Sequence, residues 1–174
     1  RGIVWPPLPN NDPAGWERMK KVGSFFFPHL ATCGAGISKD KPIELGNYPY
    51  PIFVAYASQP ADLIYSITKA MIDGYDAYKD SAPGASGLAA ARQTKNWAVP
   101  VHAGAVKALK EAGHWSAEQE AHNNALFKRQ EVLASAWADY NKGNPPSDEK
   151  PFLEGWMKAR AAALAKAKMA NGFE

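Results

Sequence analysis

The stretch "NYPYPIFVAYASQPADLIYSITKAM", residues 47–71, decides the reading of the fold. Two tyrosines, Tyr48 and Tyr50, alternate with Pro49 and Pro51. Proline fixes its own φ and restricts the residue before it, so both tyrosines are held extended. The apolar run "PIFVAYAS" (51–58) follows. Its near-continuous hydrophobic character predicts a strand buried on both faces, as in a parallel sheet. "PADLIYSITKAMIDGYDAYKD" (60–80) then opens at a proline with helical periodicity. Leu63, Ile67, Ala70 and Met71 form its predicted core stripe, with Ile64 and Tyr75 beside it.

Outward from this stretch, the chain alternates loops and short elements. Asp12 before Pro13 predicts a helix start, because Asp12 accepts free N–H groups and Pro13 has none to satisfy. "SFFFPHLA" (24–31) predicts a strand stopped at Pro28, and "TCGAGISKDKPIELGN" (32–47) a loop. "SGLAAARQTKNW" (86–97) predicts a third helix, and Pro100 a short one closed by Gly113 as its C-terminal cap. Ser116 and Gln119 stand at capping-box spacing and open a long helix that runs to Gly143. On it Leu126, Leu133, Trp137 and Tyr140 share a face. "GNPPS" (143–147) breaks the chain. A last helix from about Asp148 is expected to bury Leu153, Trp156 or Met157, and Leu164. Strand followed by helices is an α/β signature with a helical extension. The expected division is an α/β lobe portion over residues 1–115 and a helical extension over 116–174 packed on it.

Composition bounds the function. The 174 residues are 46% hydrophobic and 21% charged, as in a globular chain with a core. The net charge of +3 comes from 20 basic and 17 acidic residues, interleaved rather than blocked, so the footprint of a nucleic-acid binder is missing. One cysteine, Cys33, excludes an intramolecular disulfide.

Motifs for chemistry are weak. His29 and Cys33 lie four apart with no third orienting group, so a Cys–His hydrolase is the weakest functional reading. The four histidines (29, 102, 114 and 122) show no zinc-ligand spacing, and no metal or cofactor is expected. "CGAGISKDK" (33–41) lacks the phosphate-loop pattern. His102, at a predicted helix start, reads as a cap or packing residue. Tyr48 and Tyr50 offer rigid rings with polar tips, suited either to a small-molecule cleft or to packing over a sheet end.

The order of segments carries a resemblance. "D-L-I-Y-x-I-T-K-A" followed by "P-x-H-x-G-A" and a closing "EAG" is similar to the C-terminal part of TRAP transporter solute receptors of the TAXI family, over roughly Phe25–Gly113. The chain departs from that pattern at Ala103, where a proline is usual, and at Ala108 and Leu109, where a tyrosine pair is usual. The resemblance implies part of a type II periplasmic-binding-protein-like fold, helix-rich, with a long C-terminal helical extension. It implies a periplasmic location, a small organic solute such as an organic acid or amino acid, delivery to membrane subunits, and no catalytic residues. The first lobe would lie outside this chain. Tyr48 and Tyr50 match the family's aromatic position near the cleft and are the candidate ligand-binding residues. A half-receptor would expose apolar surface, which a homodimer would cover. The alternative is a helical protein–protein interaction module on an α/β scaffold, working through helices between Ser116 and Asn171.

Overall fold

A computed structural model of the chain describes residues 2–49 and 52–172. The chain forms two compact units, residues 1–50 with 170–174, and residues 51–169.

The first unit is built on one helix and one hairpin. Helix α1 (Pro13–Val22) starts as expected, with the Asp12 carboxylate accepting the Gly15 N–H at 2.9 Å and proline in the first turn. Strand β1 (Phe27–Ala31) pairs antiparallel with β2 (Ile43–Asn47), Phe27 opposite Asn47 and Ala31 opposite Ile43. Both strands correct the sequence reading. Pro28 lies inside β1 rather than ending it, which a two-stranded sheet tolerates because each strand has an open edge. The end of the expected loop is β2 itself; a glycine and an asparagine at positions 46 and 47 hid its strand character. The Leu8 N–H donates to the Glu44 carbonyl at 2.8 Å, so the proline-rich lead-in is tied to β2. Trp16, 7% exposed, anchors this unit and donates its indole N–H to the Pro9 carbonyl at 2.9 Å. That ring lies against Gly46 of β2, where a Cβ would meet it at an ordinary contact distance of 3.4 Å.

The second unit is helical. The single helix expected over residues 60–80 is split at Gly74 into α2 (Ala61–Asp73) and the single-turn α3 (Tyr75–Tyr78). The predicted third helix is two short 3-10 turns, Ala85–Leu88 and Ala90–Arg92. Gly84 at φ +90 and Gly87 interrupt what the alanines favour, so no α-helical nucleus spans the segment. α4 (Ala103–Glu111) is capped by His102, whose Nδ1 accepts the Gly104 N–H at 3.1 Å. It closes at Gly113, φ +73, where the His114 N–H reaches back to the Leu109 carbonyl at 2.8 Å. α5 (Ala117–Lys142) carries the full Ser116–Gln119 capping box and ends at Gly143. α6 (Glu149–Lys166) starts after Asp148.

α5 and α6 form an antiparallel hairpin. Trp137 and Tyr140 meet Phe152 and Trp156 at ring separations of 4.8–6.0 Å, and Tyr140 donates to the Phe152 carbonyl at 2.8 Å. A Cβ on Gly155 would run into the Tyr140 hydroxyl and displace that side chain from its bond to Phe152. The inward face of α6 is Phe152, Trp156, Arg160 and Leu164; Leu164 is fully buried, whereas Leu153 and Met157 are 49% and 40% exposed. A fully buried leucine contributes roughly 1.5–3 kcal/mol.

The largest correction concerns residues 52–58. They form no strand and no sheet, and all of them are exposed. Ile52, Phe53, Val54 and Tyr56 are 54–80% exposed. Of the α2 stripe expected to be core, Leu63, Ile67 and Ala70 are exposed, while Met71 and the flanking Ile64 and Tyr75 are half-buried; α2 packs against α4. Residues with the composition of a buried strand and its covering helix therefore stand without the sheet that would bury them. The expected α/β layering is reduced to a small hairpin and a set of helices; a periplasmic-binding-protein-like sheet is not present among the described residues.

Candidate functional site

Tyr48 follows directly on β2, with its backbone N–H donating to the Asn47 side chain at 2.9 Å. Its ring meets Phe26 at 5.8 Å and Phe25 at 6.4 Å, edge to face, and those two phenylalanine rings lie 4.7 Å apart, tilted at 44°. The ring is 47% exposed. Tyr48 is thus held by packing at the sheet end, with about half of the residue exposed. Tyr50 lies outside the described residues. Phe25 and Phe26 are partners that sequence reading assigned only to a strand; their signal was the aromatic triplet 25–27.

In the second unit, α2 and α4 approach with almost no side chain between them. A Cβ on Gly104 would collide with the Ala61 carbonyl and lie 2.7 Å from the Tyr65 nitrogen. Gly104 and Ala108 are buried, Ala108 to 1% exposure. At the edge of this contact the Tyr65 hydroxyl donates to Glu111 Oε2 at 2.7 Å, and Lys107 Nζ stands 4.3 Å over the Tyr65 ring. The hydrogen bond to Glu111 raises the Tyr65 pKa above its ordinary value, with desolvation adding to it. Lys69 pairs with Asp73 at 2.7 Å, and this pairing raises the Lys69 pKa. Lys69, Ile72, Asp73, Ala108, Glu111 and Ala112 line an open pocket of about 290 Å³. It presents one ammonium and two carboxylates, with Lys69 donating to both oxygens of Asp73 and Glu111 accepting from Tyr65, so these groups are already engaged. Sequence reading missed it, although Tyr65, Lys69 and Asp73 stand at successive i, i+4 positions.

A second open pocket, also about 290 Å³, is lined by Ala91, Thr94, His114, Trp115, Ser116 and Gln119 with Gly113. Three of its polar residues engage one another: Gln119 donates to Thr94 Oγ1 at 2.8 Å and completes the capping box with Ser116. Behind it Asn123, 3% exposed, accepts the Val101 N–H at 2.7 Å and returns a bond to the Val101 carbonyl at 3.2 Å. Trp97, Trp115 and His122 pack around that point, and His122 Nε2 bonds the Trp97 carbonyl at 2.8 Å. Lys110 and Trp115 both bond Glu120, the lysine at 2.8 Å, and hold its carboxyl below the usual range. This is a joint between the 94–115 segment and the first turns of α5.

Cys33 is exposed, and no hydrogen bond joins it to His29 among the described residues. No group of three or more His, Cys, Asp or Glu able to hold a metal occurs among the described residues. No helix among them is long and apolar enough to cross a membrane.

Residues 49–113 match the model of the NMT1-like family, a family of periplasmic solute-binding proteins. The matched stretch begins beside Tyr48 and contains the exposed 52–58 segment, α2, α4 and its glycine cap. No curated protein and no solved structure matches the chain.

Proposed function

We propose that this chain is the solute-binding component, or part of one, of a TRAP-type secondary transporter, taking a small organic solute outside the cytoplasm and handing it to membrane subunits. The observation that carries the reading is the family match over residues 49–113, which falls on the α2–α4 pair. Tyr48 supports it as a half-exposed ring fixed at the sheet end; Tyr50 is proposed as its companion at the ligand. An amino acid or organic acid is the solute class that the resemblance implies; the α2–α4 pocket, whose one ammonium is paired with Asp73, does not select it. The protein acts by binding and release; no covalent step is assigned to any residue.

A thermal-shift screen against amino acids, organic acids and sugars tests this. A solute present at about 100 times its dissociation constant adds about 2.7 kcal/mol to the native state. At roughly 2–4 °C per kcal/mol, that raises Tm by about 5–10 °C. A shift lost in Tyr48→Ala supports the reading. No shift with any amino or organic acid opposes it. The helical-module alternative keeps one observation in its favour: Phe127 and Trp137 on α5 are 42% and 43% exposed. Against it, Leu164 is fully buried.

A further inference from the structure

Three observations meet at the start of α4. His102 stands just before the helix, and its Nδ1 accepts the Gly104 N–H at 3.1 Å. Gly104 also lies directly against the backbone of α2, where a Cβ would run into the Ala61 carbonyl. The residue that leads into the cap is clamped by α5: Asn123 accepts the Val101 N–H at 2.7 Å and donates to the Val101 carbonyl at 3.2 Å. The cap therefore sits between a fixed entry and a backbone-to-backbone helix contact.

A ring nitrogen of imidazole accepts a hydrogen bond only while it carries no proton. The residues usual at this position, Ser, Thr, Asp and Asn, accept through an oxygen and have no such limit near neutral pH. Imidazole changes charge between about pH 5 and 8. Once charged, both of its nitrogens are donors, and a proton on Nδ1 would face the Gly104 N–H. The positive end of the α4 dipole opposes the same charge. Both effects have the same sign.

From this geometry we infer that His102 is a proton-operated latch on α4. Neutral, it closes the first turn and holds Gly104 against α2. Charged, it releases Gly104, and the α2–α4 contact loosens. The latch is present where the imidazole is neutral and is withdrawn as pH falls through the histidine range. The surrounding charges do not counter it. The bond to Gly104 is the one polar contact of His102 among the described residues. α2 brings Asp62 in its first turn, then Tyr65, which is engaged by Glu111 and Lys107, and Lys69, which is paired with Asp73. On α5, His122 is bonded to the Trp97 carbonyl and Glu120 to Lys110 and Trp115. Both helices of the contact fall within residues 49–113, so the latch acts on the family-matched part of the chain, whichever solute the protein binds.

NMR and calorimetry on the intact chain, between about pH 8 and 5.5, test it. At the upper pH the His102 ring should carry its proton on Nε2. On acidification the Gly104 amide resonance should follow the titration of His102, and its exchange protection factor should fall roughly fivefold. His102→Asn, whose side-chain oxygen accepts throughout this range, should keep the wild-type Tm at the upper pH. Its loss of Tm on acidification should be smaller than that of wild type by about 2–4 °C. His29, His114 and His122 are common to both proteins, so the comparison isolates His102. A proton on Nδ1 at the upper pH, a Gly104 amide indifferent to the His102 titration, or equal losses of Tm in the two proteins would each overturn the assignment.

Discussion

Replacing Gly104 with alanine should destabilise this protein although it improves the helix. Gly104 lies in the first turn of α4, and in an exposed helix interior alanine is preferred over glycine by about 1 kcal/mol. Here the new methyl would be driven into the Ala61 carbonyl and to 2.7 Å from the Tyr65 nitrogen. Both obstacles are backbone, so no side chain can rotate away. Carbon contacts settle at about 3.5–4.0 Å, and the two helices must part by roughly 1 Å to restore them. Separation of that size forfeits a quarter to a half of each dispersion contact along the interface, and overpacking of this kind typically costs about 1–3 kcal/mol. With immovable backbone on the other side, the upper end applies, and the net loss after the helix gain is about 2 kcal/mol. At roughly 2–4 °C per kcal/mol, Tm should fall by about 4–8 °C, read by calorimetry. Gly87→Ala is the control: nothing stands within 4 Å of its Cβ position, so its Tm should stay within about 2 °C of wild type. If Gly104→Ala raises Tm, the close approach of α2 and α4 is not real and the argument fails.

Asn123→Ala should cost about 2–3 kcal/mol in urea denaturation, because it strands the part-buried Val101 N–H and carbonyl; Asn123→Asp, which sets a buried carboxylate against that carbonyl, should cost no less. Glu120 has a depressed pKa in the fold, so the unfolded chain binds its proton first as pH falls. Its contribution is present above the ordinary carboxylate pKa and fades as pH drops through the lower folded value; Glu120→Gln should flatten the acid limb of the stability–pH curve, and an unchanged limb would remove Lys110 and Trp115 as the cause. Ser116→Ala should lower stability by about 1 kcal/mol by opening the capping box, measured as a shift in denaturation midpoint at constant m. Tyr48→Ala should abolish any solute-induced Tm shift while moving the ligand-free Tm little, since about half of the ring is exposed; full retention of the shift would take the residue out of the site.

The sequence by itself determined where α1, α4 and α5 begin and where α4 and α5 end. Asp12 with Pro13, His102 with Gly113, Ser116 with Gln119, and Gly143 each act within four residues, through hydrogen bonds the local chain can close alone. Tertiary structure decided everything that needs a distant partner. β2 exists because residues 43–47 found residues 27–31, not because their own pattern demanded it. The segment 52–58 has the composition of a buried strand, but a strand is stable only where another strand satisfies its backbone, and the fold supplies none. The α2 stripe that looked like core stayed outside for the same reason, while the face bearing Ala61, Tyr65 and Lys69 was selected by a glycine about 40 residues away, a distance at which periodicity carries no information. Tyr48 was legible as a rigid aromatic from its prolines; that it would be held by Phe25 and Phe26 was not, because that contact depends on the pairing of two strands.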